Sequence, residues 1–248
     1  MRINFYHFGV QCPIIYEMLQ LFQNDTMDIV KCIDISNDIS LAPQPMYYPF
    51  FTIIDEKIFW YAPLTLSILE QIRDGKLVKD TPYQITQSSD VIRGEILYLT
   101  DETIIDNLPG CTMCKACGQI NAKRAFLHSQ QMRFYGILHK YQGKIVGGAE
   151  WLPSMKVPYP IPKDNTYAFI TCVYHSSENY DYKAYPLAIL EKELSKNYQK
   201  IFVISDEIGI FPNGPMSWFI RQGYKDLGIV QEIADYACLH LMSKDLKS

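Results

Sequence analysis

From Glu95 to the C-terminal end, the order of apolar and amphipathic segments is long and specific, and it constrains the fold more than any single motif. "EILYLT" alternates as a strand. "DETIIDNL", beginning near Asp101, and "NAKRAFLHSQQM" carry helical spacing. Three strands follow, "RFYGILHKY", "KIVGGAEWL" and "TYAFITCVY", with Gln142-Gly143 as the turn between the first two. A helix ("YPLAILEKELSK"), a strand ("KIFVIS"), a short helix ("GPMSWFIRQGY") and a final strand ("YACLHLMSK") complete the series.

Residues 1 to 80 form a separate and smaller α/β pattern. "RINFYHF" reads as a strand broken by Gly9. "PIIYEMLQLFQ" then places Ile14, Met18, Leu21 and Phe22 on one helical face, with Pro13 suited to the first turn. "DIVKCIDI" is a second strand, and a proline-rich loop leads to "FFTII" and "KIFWY", which Asp55-Glu56 joins as a hairpin. The helix "LTLSILEQIRDG" ends at Gly75. A polar connector over residues 76 to 90 separates this pattern from the one that starts at Glu95, giving expected domains at 1–80 and 90–248.

At 248 residues either part can bury a core, and 48% apolar against 20% charged residues argues for folded structure throughout. The net charge of -4, with scattered cations, gives no footprint for nucleic acid, so a small molecule or a protein is the expected partner. No apolar run reaches the roughly 18 residues of a membrane span, and the start "MRINFYHFGVQ" has no signal-peptide core, so the expected location is the cytoplasm.

An odd number of cysteines, seven, without a secretion signal argues for reduced thiols. Cys12, Cys32, Cys172 and Cys238 sit among apolar neighbours and are expected in the core. Cys12, before the first helix, is also placed where a helix terminus lowers a thiol pKa. Cys111, Cys114 and Cys117 are clustered differently, in "GCTMCKACG" just before Lys123 and Arg124. Three thiolates are one short of a closed zinc site, with His128 or Cys12 as a possible fourth, so zinc stays a minor alternative to a loop of thiols. Lys123 and Arg124 read as a solvated helix face.

The second part resembles the GNAT acyl-CoA N-acyltransferase superfamily over residues 90 to 248, on its element order, on "GKIVGGAEWLP", and on "WFIRQGYKDLG" with its Gly223-Tyr224 pair. The first part is similar to the thioredoxin-like YoaP-type module, on "CPIIYEMLQLF" and "LAPQPMYYPFFTIIDEKIFWYAPLT", and here it precedes the GNAT-like part. The resemblance implies a thioredoxin-like module followed by a mixed-sheet α+β domain, with Tyr48-Pro49 as a candidate cis bond.

For function, the resemblance implies acetyl-CoA as substrate and the amine of a small molecule or protein as acceptor. The coenzyme would lie along Cys172 and Val173 and at Tyr182, Lys183, Ala184 and Tyr185, where the following helix begins. The family's glycine loop falls in "SSENYDYKAYPLAIL", with Asp181, Ala184 and Pro186, or Asn179, Tyr182 and Ala184, at its key positions. Proline has no N–H to offer, and Asp181 would repel phosphate. Glu150 and His175 are the candidate bases, while the family's tyrosine acid corresponds to Phe219, which cannot donate a proton. The alternatives are a GNAT-like binding or regulatory protein that has lost transfer, and a thiol or metal protein using the cysteine triplet.

Overall fold

The computed structural model describes residues 1–82, 84, 88–103, 120–175, 179–209 and 211–247, with His175 described by its backbone. The chain divides into two compact units, Met1–Thr81 with Pro158–Pro160, and Pro82–Val157 with Ile161–Ser248. Among the described residues, no helix is long and apolar enough to cross a membrane.

The first unit runs β1 (Arg2–His7), α1 (Pro13–Asn24), β2 (Ile29–Asp34), β3 (Phe50–Ile54), β4 (Ile58–Trp60) and α2 (Leu66–Arg73). Its four-stranded sheet has the order β2-β1-β3-β4. β2 is parallel to β1, while β3 is antiparallel to both β1 and β4. Every residue of β3 is buried, as expected of a central strand, and α1 turns Ile14, Ile15, Met18 and Phe22 inward.

The β3–β4 turn uses positive φ at Asp55 (50°) and Glu56 (59°). The Asp55 carboxylate accepts the Arg2 amide at 2.6 Å, which helps to fix a conformation that non-glycine residues adopt with difficulty. Thr65 caps α2 by accepting from the Ile68 amide, and Gly75, at φ 72°, follows its end as expected.

Two expectations for this unit are corrected. Tyr48-Pro49 is not cis; among the described residues, the cis bond is Phe211–Pro212. The Pro49 carbonyl accepts from the Phe8 amide at 2.9 Å and so carries the β1–β3 pairing one step beyond the strand. Cys32 is exposed rather than in the core, because β2 is an edge strand with one well-covered side at most.

The second unit contains β5 (Glu95–Leu99), α3 (Ile120–Ser129), β6 (Gly136–Tyr141), β7 (Lys144–Pro153), β8 (Tyr167–His175), α4 (Ala184–Leu194), β9 (Lys200–Asp206), α5 (Met216–Arg221), β10 (Lys225–Ile233) and β11 (Ala237–Asp245). They form a mixed seven-stranded sheet of order β10-β11-β9-β8-β7-β6-β5. Among the described residues, only β8 and β9 run parallel among its ladders, and α4 is the crossover that parallel neighbours require. Leu187, Leu190 and Leu194 of α4 join Ile137, Ile170, Val203, Trp218 and Phe219 in the core. The helix expected after Asp101 and the cysteine loop fall on residues 104–119, outside the described residues. The strand β10 was not expected from the sequence.

Candidate functional site

The parallel pair β8–β9 provides the principal irregularity of the sheet. Its register covers only Tyr167–Phe169 against Lys200–Phe202. Beyond that, β8 continues along β7 as far as His175, opposite Gly147, and β9 continues along β11 as far as Asp206, opposite Leu239. The two strands therefore part at their C-terminal ends; β8 ends at His175 and α4 begins at Ala184.

Asp181 organises the start of α4. It is 6% exposed, and its Oδ1 accepts the backbone N–H of both Lys183 and Ala184 at 2.9 Å. Its Oδ2 accepts the Trp218 indole N–H at 2.6 Å, tying α5 to the same point. A carboxylate within the chain thus satisfies two donors of the first turn, the groups that make a helix start attractive to anions. Pro186 brings no N–H. The expected clash of Asp181 with phosphate takes a definite form, since a diphosphate seeking these two amides has to displace a bonded carboxylate.

Lys183 lies beside this cap, 4% exposed, with Nζ 4.4 Å from the centre of the Trp218 ring. Burial pulls its pKa down to about 8 against the opposing pull of the Asp181 charge. Tyr182 is buried, and its carbonyl faces His139 Nδ1 at 3.2 Å. The rings of Tyr182 and Tyr185 both stand edge-on to His139. His139 is fully buried, and desolvation lowers its pKa.

The glycine pair of "GGAE" has a steric cause. A Cβ on Gly147 would come within 2.5 Å of the Tyr182 carbonyl oxygen, and one on Gly148 within 2.6 Å of the Tyr174 hydroxyl. Gly147 lets the segment entering α4 lie directly against β7, and Gly148 makes room for the Tyr174 side chain of β8.

Glu150 sits on β7 opposite Cys172, next to a register shift in the β7–β8 ladder. It is 1% exposed, and its two carboxylate oxygens lie 2.8 and 2.7 Å from Lys123 Nζ. This corrects the expectation that Lys123 belongs to a solvated face, because its side chain is 3% exposed and points inward from α3. The partnership joins residues 27 apart in the chain, which no local pattern reveals. Cys172, expected in the core, is instead partly exposed.

The other candidates are less central. His175 ends β8, and its backbone alone is described. Val173 and Ala184 turn their side chains into the core, leaving their backbones to offer. Phe219 is fully buried, its ring against those of Trp218 and Tyr224. Cys111, Cys114 and Cys117 lie outside the described residues. Of the two proposed fourth metal ligands, His128 is 2.7 Å from the Asp101 carboxylate, and Cys12 is buried at the start of α1 in the first unit. A separate cavity of about 620 Å³, walled by Tyr98, Phe134, Trp151 and Tyr198, lies at the opposite, C-terminal end of α4.

No family model and no curated protein matches the chain. Among solved structures it is similar to a ribosomal-protein-alanine N-acetyltransferase from Brucella melitensis, with 14% identity and a TM-score of 0.44, over 61% of this chain and 99% of that one. It is similar to the aminoglycoside 6'-N-acetyltransferase from Enterococcus faecium, with 12% identity and a TM-score of 0.44, over 62% and 97%. For an N-acetyltransferase from Staphylococcus aureus the values are 17% and 0.43, over 62% and 98%.

Proposed function

We propose that the second unit is an acyl-CoA-dependent N-acyltransferase that moves an acetyl group from acetyl-CoA to the amine of a small molecule or protein, in the cytoplasm. One observation carries this: β8 and β9, the parallel pair among the described ladders of the seven-stranded sheet, separate after three residue pairs, and the crossover helix α4 follows β8. A gap of this kind offers strand-edge backbone to an extended amide-bearing chain such as pantetheine, by the same hydrogen bonding that joins strands. Cys172 and Val173 would line the chain, and Tyr182, Lys183, Ala184 and Tyr185 would meet the phosphate end.

In the reaction the amine nitrogen attacks the thioester carbonyl, the C–N bond forms, and the C–S bond breaks. The nitrogen's proton goes to a base, and the departing thiolate takes a proton in turn. Glu150, beside Cys172, is the base in this proposal, with Lys123 fixing its carboxylate, and His175 is the second candidate. The ammonium of Lys183 supplies positive charge toward the phosphates, in partial place of the amides that Asp181 occupies.

A second reading follows from that occupation: a GNAT-like binding protein that has lost transfer. Asp181 on the helix amides and Phe219 at the acid position both support it. The first unit is proposed as a thioredoxin-like module, supported by its strand order and by the helix that follows β1 directly.

Calorimetry with acetyl-CoA, followed by a thiol-release assay over a panel of primary amines, separates the readings. Binding together with amine-dependent release of CoA is the expected result. Binding without release establishes the second reading, and no binding at high micromolar acetyl-CoA eliminates the enzyme.

A further inference from the structure

On the far side of the same unit, β11 presents Cys238 and His240 two residues apart, hence on one face of the strand. Glu207 follows the end of β9 and donates its amide to the Cys238 carbonyl at 2.9 Å, which brings it alongside that face. One ligand atom from each of Glu207, Cys238 and His240 lies within 4.8 Å of the other two. We propose that these three side chains form a zinc site, with the fourth position open to water or another ligand.

The spacing fits the ion. Zinc holds sulfur at about 2.3 Å and nitrogen or oxygen at about 2.0–2.1 Å, so a tetrahedral site has edges of about 3.6 Å between S and N and about 3.3 Å between N and O. Cys238 Sγ is 3.6 Å from His240 Nε2, and Glu207 Oε2 is 3.4 Å from the same nitrogen. Thiolate, imidazole and carboxylate together are a donor set that suits zinc among the common divalent ions.

The supporting contacts fit as well. His240 Nδ1 faces Asp226 Oδ1 on β10 at 3.0 Å, an arrangement that leaves Nε2 as the coordinating nitrogen and orients the ring. Asp206 Oδ1 accepts the amides of Cys238 and Ile208 at 2.9 and 3.0 Å, fixing the turn that carries Glu207. Cys238 and His240 are 9% and 6% exposed, whereas the Glu207 side chain is 56% exposed, which gives the ion a side from which to enter. The rival account is a metal-free cluster in which the His240 ring lies between Asp226 and Glu207 and the Cys238 thiol hydrogen-bonds to Glu207.

The test is equilibrium dialysis of the full chain against zinc with elemental analysis, and titration with cobalt as a spectroscopic stand-in. Because Cys111, Cys114 and Cys117 are also thiols, the cobalt titration is repeated on the variant carrying serine at all three positions. The expected results are one zinc fewer in Cys238→Ser and in His240→Gln, and at least tenfold weaker binding in Glu207→Gln. Asp226→Asn is expected to weaken binding by about 10–100-fold. A thiolate-to-cobalt charge-transfer band should persist in the triple-serine variant and vanish when Cys238→Ser is added to it. Glu207 is exposed, so Glu207→Gln stays informative if the buried variants fail to fold. Zinc content and affinity unchanged in Glu207→Gln and Asp226→Asn, or a cobalt band that survives Cys238→Ser in the triple-serine variant, overturns the site.

Discussion

At the residue scale, Asp181 decides how the start of α4 can be used. One carboxylate serves as helix cap and as acceptor for the Trp218 indole, so it holds two helices together. Asp181→Ala should cost about 1–3 kcal/mol in urea unfolding, from a lost cap and an orphaned indole. A change below a few tenths would mean that the carboxylate holds nothing. The Lys123–Glu150 pair is predicted to be costly to break and cheap to replace. Glu150→Gln removes the carboxylate charge that faces the buried Lys123 ammonium and should lose about 3–5 kcal/mol, whereas Lys123→Met with Glu150→Leu should lose far less. Equal losses in the single and double variants would refute that coupling. Lys183 adds a pH signature. Its folded pKa of about 8 lies below the usual lysine value of 10.5, so between these pH values the unfolded chain binds more protons. Its contribution to stability therefore grows as pH rises from 8 to 10.5. The stability difference between the wild type and Lys183→Met should shift in that direction, and a flat difference contradicts the burial argument.

At the scale of elements, the segments built on local periodicity were legible. α1 with Pro13 at its start, the hairpin at Asp55-Glu56, and the meander β6–β7–β8 all follow from spacing and turn chemistry. β10 was not legible. "KDLGIVQEI" is an edge strand with exposed residues on both faces, two register shifts against β11 and Gly228 at φ 113°, so it lacks the one-sided alternation that marks a half-buried strand. "KIVGGAEWL" was legible as a strand, but the reason for its glycines lies 35 and 26 residues further along the chain, in Tyr182 for Gly147 and Tyr174 for Gly148. Gly147→Ala should therefore destabilise by about 1–3 kcal/mol, read by thermal melting. Unchanged melting for Gly147→Ala would show that the Tyr182 backbone yields without penalty.

At the scale of the whole molecule, the chain is two units with separate sheets. Strand order, parallel pairing and the parting of β8 from β9 are tertiary facts that periodicity does not encode. The same holds for the candidate site. Glu150, Lys183 and Asp181 were visible as residue types, but the partners that define them, Lys123 and Trp218, arrive from other elements. The central claim is that acetyl-CoA lies in the gap between β8 and β9 along the backbone of β8. Hydrogen exchange with and without acetyl-CoA tests it most directly. The account predicts slowed exchange in peptides spanning Ile170–Tyr174, with no added protection of Lys183 and Ala184, whose amides already bond to Asp181. Unchanged exchange in that stretch of β8 at millimolar acetyl-CoA would contradict it.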